Sequence, residues 1–301
     1  MKKLSSVILA FCCSVTLFAQ APTNYYNNAT GSGLVLKSQL KSIITNKHTP
    51  LTYGDLWDLY SKNASNNAFR DKYYEKDNTI LDIYTEKPGA TETYTFTVIT
   101  DQCGSNGYKN EGDCYNREHL IPQSYFDEQF PMKADAFHVW PTDGKVNNER
   151  DNYAFGTVAA INITNNNFTS TNGTKRGDIG VSGFTSTIQK PILVVEPIDE
   201  FKGDIARAFF YFATRYEDSM DDFYKDNPHV GVSIMFDGST GKVFNDNFLD
   251  VLYQWHRQDP VSSREIDMNN LVYNEQGNRN PYIDNPSYVT AVWYPHLLDT
   301  Y

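Results

Sequence analysis

The 301-residue sequence predicts an α+β fold, mostly helical, built around a small strand-rich centre. Three observations carry that expectation. Apolar residues recur at helical intervals in several segments, most clearly Ile205, Phe209, Phe212 and Tyr216. Strand-like runs are few and short. No internal repeat or long linker marks a boundary, so residues 22–301 are expected to form one domain. A hydrophobic content of 40%, with 21 tyrosines and 18 phenylalanines, supplies enough apolar surface for its core.

The elements are expected in the following order. Residues 1–21 read as a secretory signal peptide: Lys2 and Lys3, an apolar run over 7–18, then Ala19-Gln20-Ala21. The run is too short to span a bilayer comfortably, so an exported, secreted or periplasmic protein without a membrane anchor is expected. Residues 34–44 carry a helical pattern, and a second helix is expected over 53–60, entered through Thr52. TYTFTVIT, over 93–100, alternates and is β-branched, which predicts a strand. Two more short strands are expected at 118–121, stopped by Pro122, and at 136–140, stopped by Pro141. A turn at Thr142-Asp143-Gly144 then leads into a polar helix carrying Asn147, Asn148, Arg150 and Asn152. Residues 162–180, rich in Asn, Thr and Gly, read as a loop or irregular strand region, and 191–197 as a short extended segment. Helices follow at 203–216 and 245–257. Asp259-Pro260 reads as the cap of a last one that runs toward Tyr273 and ends at Gly277.

Cysteine usage fits export. Cys12 and Cys13 leave with the signal peptide, and Cys103 and Cys114 most simply form one disulfide. It would close a polar, glycine-containing loop directly before CYNREHLIP, residues 114–122. The net charge is −11, or about −13 without Lys2 and Lys3, which argues against gripping nucleic acid by bulk electrostatics. Local handling of phosphates through a metal and a few arginines is still open.

The candidate chemistry gathers around Arg117, Glu118 and His119. On a strand, Glu118 and His119 would face opposite ways unless a bend brought them together. Alone, such a pair is weak evidence. The later segment DAFHVWPTDGKVNNERDNYAFG places a helix rich in amides and arginine 28 residues beyond His119, where Asn147 sits. Polar groups of that kind are costly to bury unless they serve a site or find partners.

NREHLIPQSYF and FHVWPTDGKVNNERDNYAFG together closely resemble the secreted bacterial endonuclease I family, whose members are nonspecific nucleases with a ββα-metal (His-Me) finger. KGDIARAFFYFATRY, LYQWHRQDPVS and YNEQGNRNPYIDNP agree in the same order, so the resemblance runs from about residue 34 to 286. It implies a finger over about 94–156 surrounded by helices. It implies His119 as the general base and Glu118 and Asn147 as ligands of one divalent cation. That cation would be Mg²⁺, with Mn²⁺ or Ca²⁺ as alternatives. Cleavage of this type leaves 5′-phosphate and 3′-hydroxyl ends. The implied partner is DNA, and RNA as well if only the backbone is read; a monomer is expected. No zinc pattern such as HExxH is present.

Forked guanidinium donors suit phosphate, so Arg117, Arg150 and Arg279 are candidates for substrate contact. Arg150 has a structural alternative, pairing with an acid such as Asp151 or Asp143. Arg279 has one too, pinning the C-terminal region. His138 could support the site, and His256 reads as structural. Three other functions remain open: a noncatalytic binding module, a phosphodiesterase of small nucleotides, and a glycoside hydrolase. The last would need a carboxylate pair that the sequence does not nominate.

Overall fold

A computed structural model describes residues 21–46, 48–105, 107–159, 167–180, 192–226 and 229–298. The segment read as a signal peptide lies outside them up to residue 20, as do the first residues of the expected loop at 162–180 and Pro191. The helices are α1 (Gly33–Thr45), α2 (Asp55–Ser61), α3 (Gly144–Arg150), α4 (Lys202–Arg215), α5 (Met220–Asp226), α6 (Val230–Met235), α7 (Asp246–Gln258), α8 (Ser263–Gln276), α9 (Pro281–Asp284) and α10 (Tyr288–Trp293). The strands are β1 (Tyr115–His119), β2 (Val139–Asp143), β3 (Ala154–Phe155), β4 (Phe168–Thr169), β5 (Lys175–Asp178) and β6 (Leu193–Glu196). The expected α+β architecture, mostly helical around a small β core, is what forms. No helix among the described residues is long and apolar enough to cross a membrane.

β1 and β2 pair antiparallel, with Tyr115 opposite Asp143 and His119 opposite Val139. α3 follows β2 without a gap, completing a β-β-α unit. Its start is fixed by Asp143, whose carboxylate accepts from Lys145 N at 2.7 Å and Val146 N at 2.9 Å. Gly144 is required there by close approach: a Cβ would lie 2.6 Å from the Tyr108 ring and 2.8 Å from Cys103 Sγ. The Cys103–Cys114 disulfide therefore forms as expected and packs against the first turn of α3. A second sheet has the order β3-β6-β5-β4, with β3 and β6 parallel and the other pairs antiparallel.

α4 is buried on every side rather than on the single aromatic face its spacing suggests. Its polar residues survive burial because they are paired. Arg207 donates to both oxygens of Glu265, and Arg264 donates to Asp204 at 2.6 Å. Asp135 ties α4 and α8 to the chain entering β2. It accepts from Tyr211, Tyr216 and Gln276 at 2.7, 2.7 and 2.8 Å.

Three expectations are corrected. Pro141 does not stop the second strand: β2 runs through it, with Pro141 opposite Arg117 and Thr142 opposite Asn116, so the expected turn at Thr142-Asp143 is strand. Residues 93–100 alternate inward and outward, with Phe96 buried, but form no strand. The Phe96 carbonyl takes a single bond from Ile80 N, and the Asp101 carboxylate accepts from Thr97 N and turns the chain before a ladder can grow. The last long helix is capped by Ser262, not Asp259. Ser262 and Glu265 form a capping box, while the Asp259 carboxylate accepts from Gly203 N at the start of α4. Gly277 ends α8 in the left-handed region, as expected (φ 74°).

The finger is closed by a buried arginine. Arg150, in the last turn of α3, donates to the carbonyls of His119 (2.7 Å) and Leu120, and Nη1 lies 3.2 Å from Glu118 Oε1. Its partner is therefore Glu118 rather than Asp151 or Asp143. Truncation would leave a buried carboxylate and two carbonyls without their donor. Arg150→Ala should cost about 3–5 kcal/mol of unfolding free energy, read from urea midpoints, and Arg150→Lys should recover only part. A loss below about 1 kcal/mol, the range of exposed ion pairs, would show that the tie is not needed.

Burial pushes the His138 imidazole down to about 4, although Asp135 and the Met132 carbonyl pull the other way. Between pH 6.5 and 4 the unfolded chain therefore carries a proton that the folded chain lacks. That stability is complete above pH 6.5 and is lost as pH falls toward 4. Between pH 7 and 5, wild type should lose about 2 kcal/mol more than His138→Asn. Equal losses in denaturant melts would refute a neutral, buried His138.

Candidate active site

The end of β1, the start of the following 3-10 turn and one face of α3 line an open cleft. Arg117, Glu118, His119, Gln123, Asn147 and Arg150 border it, with Tyr53 and Trp57 of the α2 region across from them. Of the residues nominated from sequence, the fold brings these five together: Arg117, Glu118, His119, Asn147 and Arg150. It does not bring Arg279, which is buried and bonded through Nε and Nη2 to the Asp284 carboxylate at 2.7 and 2.8 Å. His119 ends β1, where the chain leaves the ladder for the turn at Gln123–Phe126, and so it shares the cleft with Glu118.

His119 Nε2 lies 3.0 Å from the Lys133 carbonyl. A carbonyl can only accept, so Nε2 carries the proton and the neutral ring keeps a lone pair on Nδ1. Burial, His138, Arg117 and Arg150 together push the imidazole down to about 3. Tyr53 stacks on the ring, with centroids 5.8 Å apart and planes at 28°. The same Tyr53 ring lies 3.4 Å from the Arg117 guanidinium carbon, and its carbonyl accepts from Arg117 Nη1. His119, Tyr53 and Arg117 thus form one layered unit, closed by Trp57 at 4.4 Å from Arg117.

Glu118 is almost wholly buried, and burial pushes its carboxyl up, opposed by Arg150 and by the Tyr84 hydroxyl. Tyr84 donates to Oε1 at 2.8 Å, the same oxygen that faces Arg150. Oε2 receives neither contact. Asn147 donates through Nδ2 to Asn116 Oδ1 at 2.7 Å, which leaves its own Oδ1 as an acceptor. The donor set is therefore one carboxylate oxygen and one amide oxygen, hard ligands suited to a cation that keeps several waters. Gln123 Oε1 is a further acceptor on the cleft with no protein partner. A separate carboxylate group, Asp71, Glu75 and Glu86, could also hold a divalent cation; none of its members borders the cleft.

Sequence reasoning missed Tyr53, Trp57, Tyr84 and Asn116. Asn116 was within reach, because it and Glu118 are two apart on β1 and share a face. Tyr53 had a partial signal. Thr52 and Asp55 bond reciprocally, Thr52 N to the carboxylate and Asp55 N to the hydroxyl. That starts the helix at Asp55 and leaves Tyr53 before it. Tyr84 comes from a distant irregular segment and has no local signature.

The family model for Endonuclease I matches residues 32–287. An extracellular ribonuclease of Bacillus amyloliquefaciens is 31% identical over 275 residues, 89% of this chain and 78% of that protein. An extracellular ribonuclease of Bacillus subtilis (strain 168) is 29% identical over 293 residues, covering 95% and 83% respectively. The match runs through the β-β-α unit and the helices around it alike, and the chain belongs to the Endonuclease I family.

Proposed function

We propose that this chain is an exported, metal-dependent endonuclease that hydrolyses phosphodiester bonds in RNA and DNA with little sequence preference. One observation carries the reading. A histidine whose Nε2 is committed to a backbone carbonyl shares a cleft with a carboxylate and an amide, each keeping an oxygen uncommitted. Family membership supports hydrolysis of nucleic acid. The relatives' designation as extracellular ribonucleases supports RNA as a substrate and export as the setting.

In this reading His119 Nδ1 accepts a proton from water as the water oxygen attacks phosphorus. The phosphorus–O3′ bond breaks, leaving a 5′-phosphate on one product and a 3′-hydroxyl on the other, with the leaving oxygen protonated from solvent. Tyr53 and the Lys133 carbonyl fix the ring plane and tautomer, so the lone pair is aimed before substrate arrives. Glu118 Oε2 and Asn147 Oδ1 would hold the cation, Mg²⁺ by preference. When bound, it supplies positive charge to the phosphate oxygens and the departing oxygen. Arg117 keeps donors beyond the one given to Tyr53 and is assigned to a phosphate oxygen. Arg150 has spent its terminal donors on the finger and is assigned to positioning Glu118. Arg279 is assigned to the Asp284 anchor and not to substrate. Contacts confined to the backbone carry no base code, which accounts for low sequence preference.

Purified protein should nick and then degrade supercoiled plasmid and single-stranded RNA with Mg²⁺, and excess EDTA should stop both. His119→Ala should lose roughly 10²–10⁴-fold in rate while keeping the wild-type circular dichroism and melting curve. A folded wild type that cuts nothing with Mg²⁺, Mn²⁺ or Ca²⁺ would instead favour a noncatalytic binding role. Arg117→Ala should lower kcat/KM about 10- to 100-fold, the worth of one charged hydrogen bond. An unchanged kcat/KM would remove Arg117 from substrate contact.

A further inference from the structure

The segment from Asp71 to Glu92 holds a concentration of carboxylates with no matching cations. Oxygens of Asp71, Glu75 and Glu86 lie within 4.8 Å of one another. Glu86 is fully buried, and neither of its carboxylate oxygens has a hydrogen-bond partner. Glu92 is 8% exposed, and its Oε1 is likewise without a partner. Asp71, Glu75 and Glu92 all act electrostatically on Glu86, and Asp71, Glu75 and Asp77 on Glu92. Lys72 donates to Asn78 and Lys87 to Thr93, and the exposed Lys76 forms no ion pair with Asp71, Glu75 or Glu86. A buried carboxylate that is neither paired nor hydrogen-bonded is among the most costly groups a fold can carry.

We propose that Asp71, Glu75 and Glu86 form a second cation site, separate from the His119 cleft, that takes a calcium ion as a structural ligand. The donors are all oxygen and carry no histidine or thiol, which selects a hard cation. Three carboxylates around one point suit calcium, which takes six to eight oxygens; magnesium is usually held by one or two carboxylates. Asp71 is already fixed, its Oδ1 accepting from Tyr73 N and Tyr74 N and its Oδ2 from Lys76 N. An ion there would tie Asp71 and Glu75 to Glu86 across a segment that lacks a continuous strand or helix.

The same segment braces the cleft. Asp82 Oδ2 accepts from Asp143 N at 2.9 Å, at the start of α3. Tyr84 holds Glu118 Oε1. Calcium at the acidic cluster would therefore hold the scaffold behind Glu118 without touching substrate. The proposal is independent of the nuclease reading, because its readouts are ion stoichiometry and melting temperature.

The test uses the full chain stripped with a chelator and titrated with calcium by calorimetry and thermal melts. Wild type and Asn147→Ala, which disables the cleft ligand set, should each keep one calcium that Glu86→Gln loses. Saturating calcium should raise Tm by roughly 5–10 °C in wild type and Asn147→Ala, less with magnesium at the same concentration, and not at all when Glu86→Gln is added to Asn147→Ala. Glu75→Gln, altered only at an exposed carboxylate, should fold normally and bind calcium at least 10-fold more weakly. No calcium-dependent rise in wild type, or an equal rise in wild type and both glutamine variants, would overturn the proposal.

Discussion

A guanidinium sealed into the joint between β1 and α3 is the contact on which the site depends. The carbonyls of His119 and Leu120 lie where β1 is leaving its ladder, and Arg150 supplies donors there. A charge so buried needs a counter-charge, and Glu118 provides it. One carboxylate thus serves two neighbours. Oε1 faces the arginine and the Tyr84 hydroxyl, and Oε2 takes neither contact. Arginine suits the joint better than lysine, because a planar fork can meet two carbonyls and a carboxylate at once. The cost is visible as well: Arg150 Nε is buried without a partner.

Aromatic packing does for His119 what the ion pair does for Glu118. The ring is clamped by Tyr53 on one face and has Phe126 and His138 as further neighbours. Such surroundings remove water and favour the uncharged imidazole. They also link the base to Arg117, since the same tyrosine lies under the guanidinium. A change at Tyr53 would therefore disturb the His119 ring and the Arg117 guanidinium together.

The parts legible in the sequence were those set by local periodicity or by a contiguous motif. α1, α4 and α7 form where apolar spacing places helices, although α4 buries more than its aromatic face, and Gly277 ends α8 because a left-handed residue was needed there. The alternation of residues 93–100 suggested a strand but could not reveal that no partner strand runs beside it, because pairing is a tertiary property. Asp259-Pro260 looked like the cap of α8, but Asp259 is drawn to the amide of Gly203, 56 residues away, and Ser262 caps the helix instead. In the cleft, Glu118, His119 and Asn147 stood out through motif resemblance. Tyr84 and Tyr53 arrive by packing from elsewhere in the chain. The roles of Arg150 and Arg279 were undecided in sequence, because an arginine that binds phosphate and one that binds a buried carboxylate are the same letter.

The acidity of the chain conflicts with a polyanionic substrate only if charge is spread evenly, and it is not. Many carboxylates are spent internally: Asp204 and Glu265 on Arg264 and Arg207, Asp284 on Arg279, Glu196 on Lys202. Others gather in the 71–92 segment, away from the cleft lining. The cleft itself presents Arg117, with Lys133 near Tyr53. Under the nuclease reading, the few basic groups lining the cleft would release few condensed counterions, so binding would weaken only gently with salt. Discrimination between substrate and transition state would then fall to the local arrangement of His119, Glu118 and Asn147.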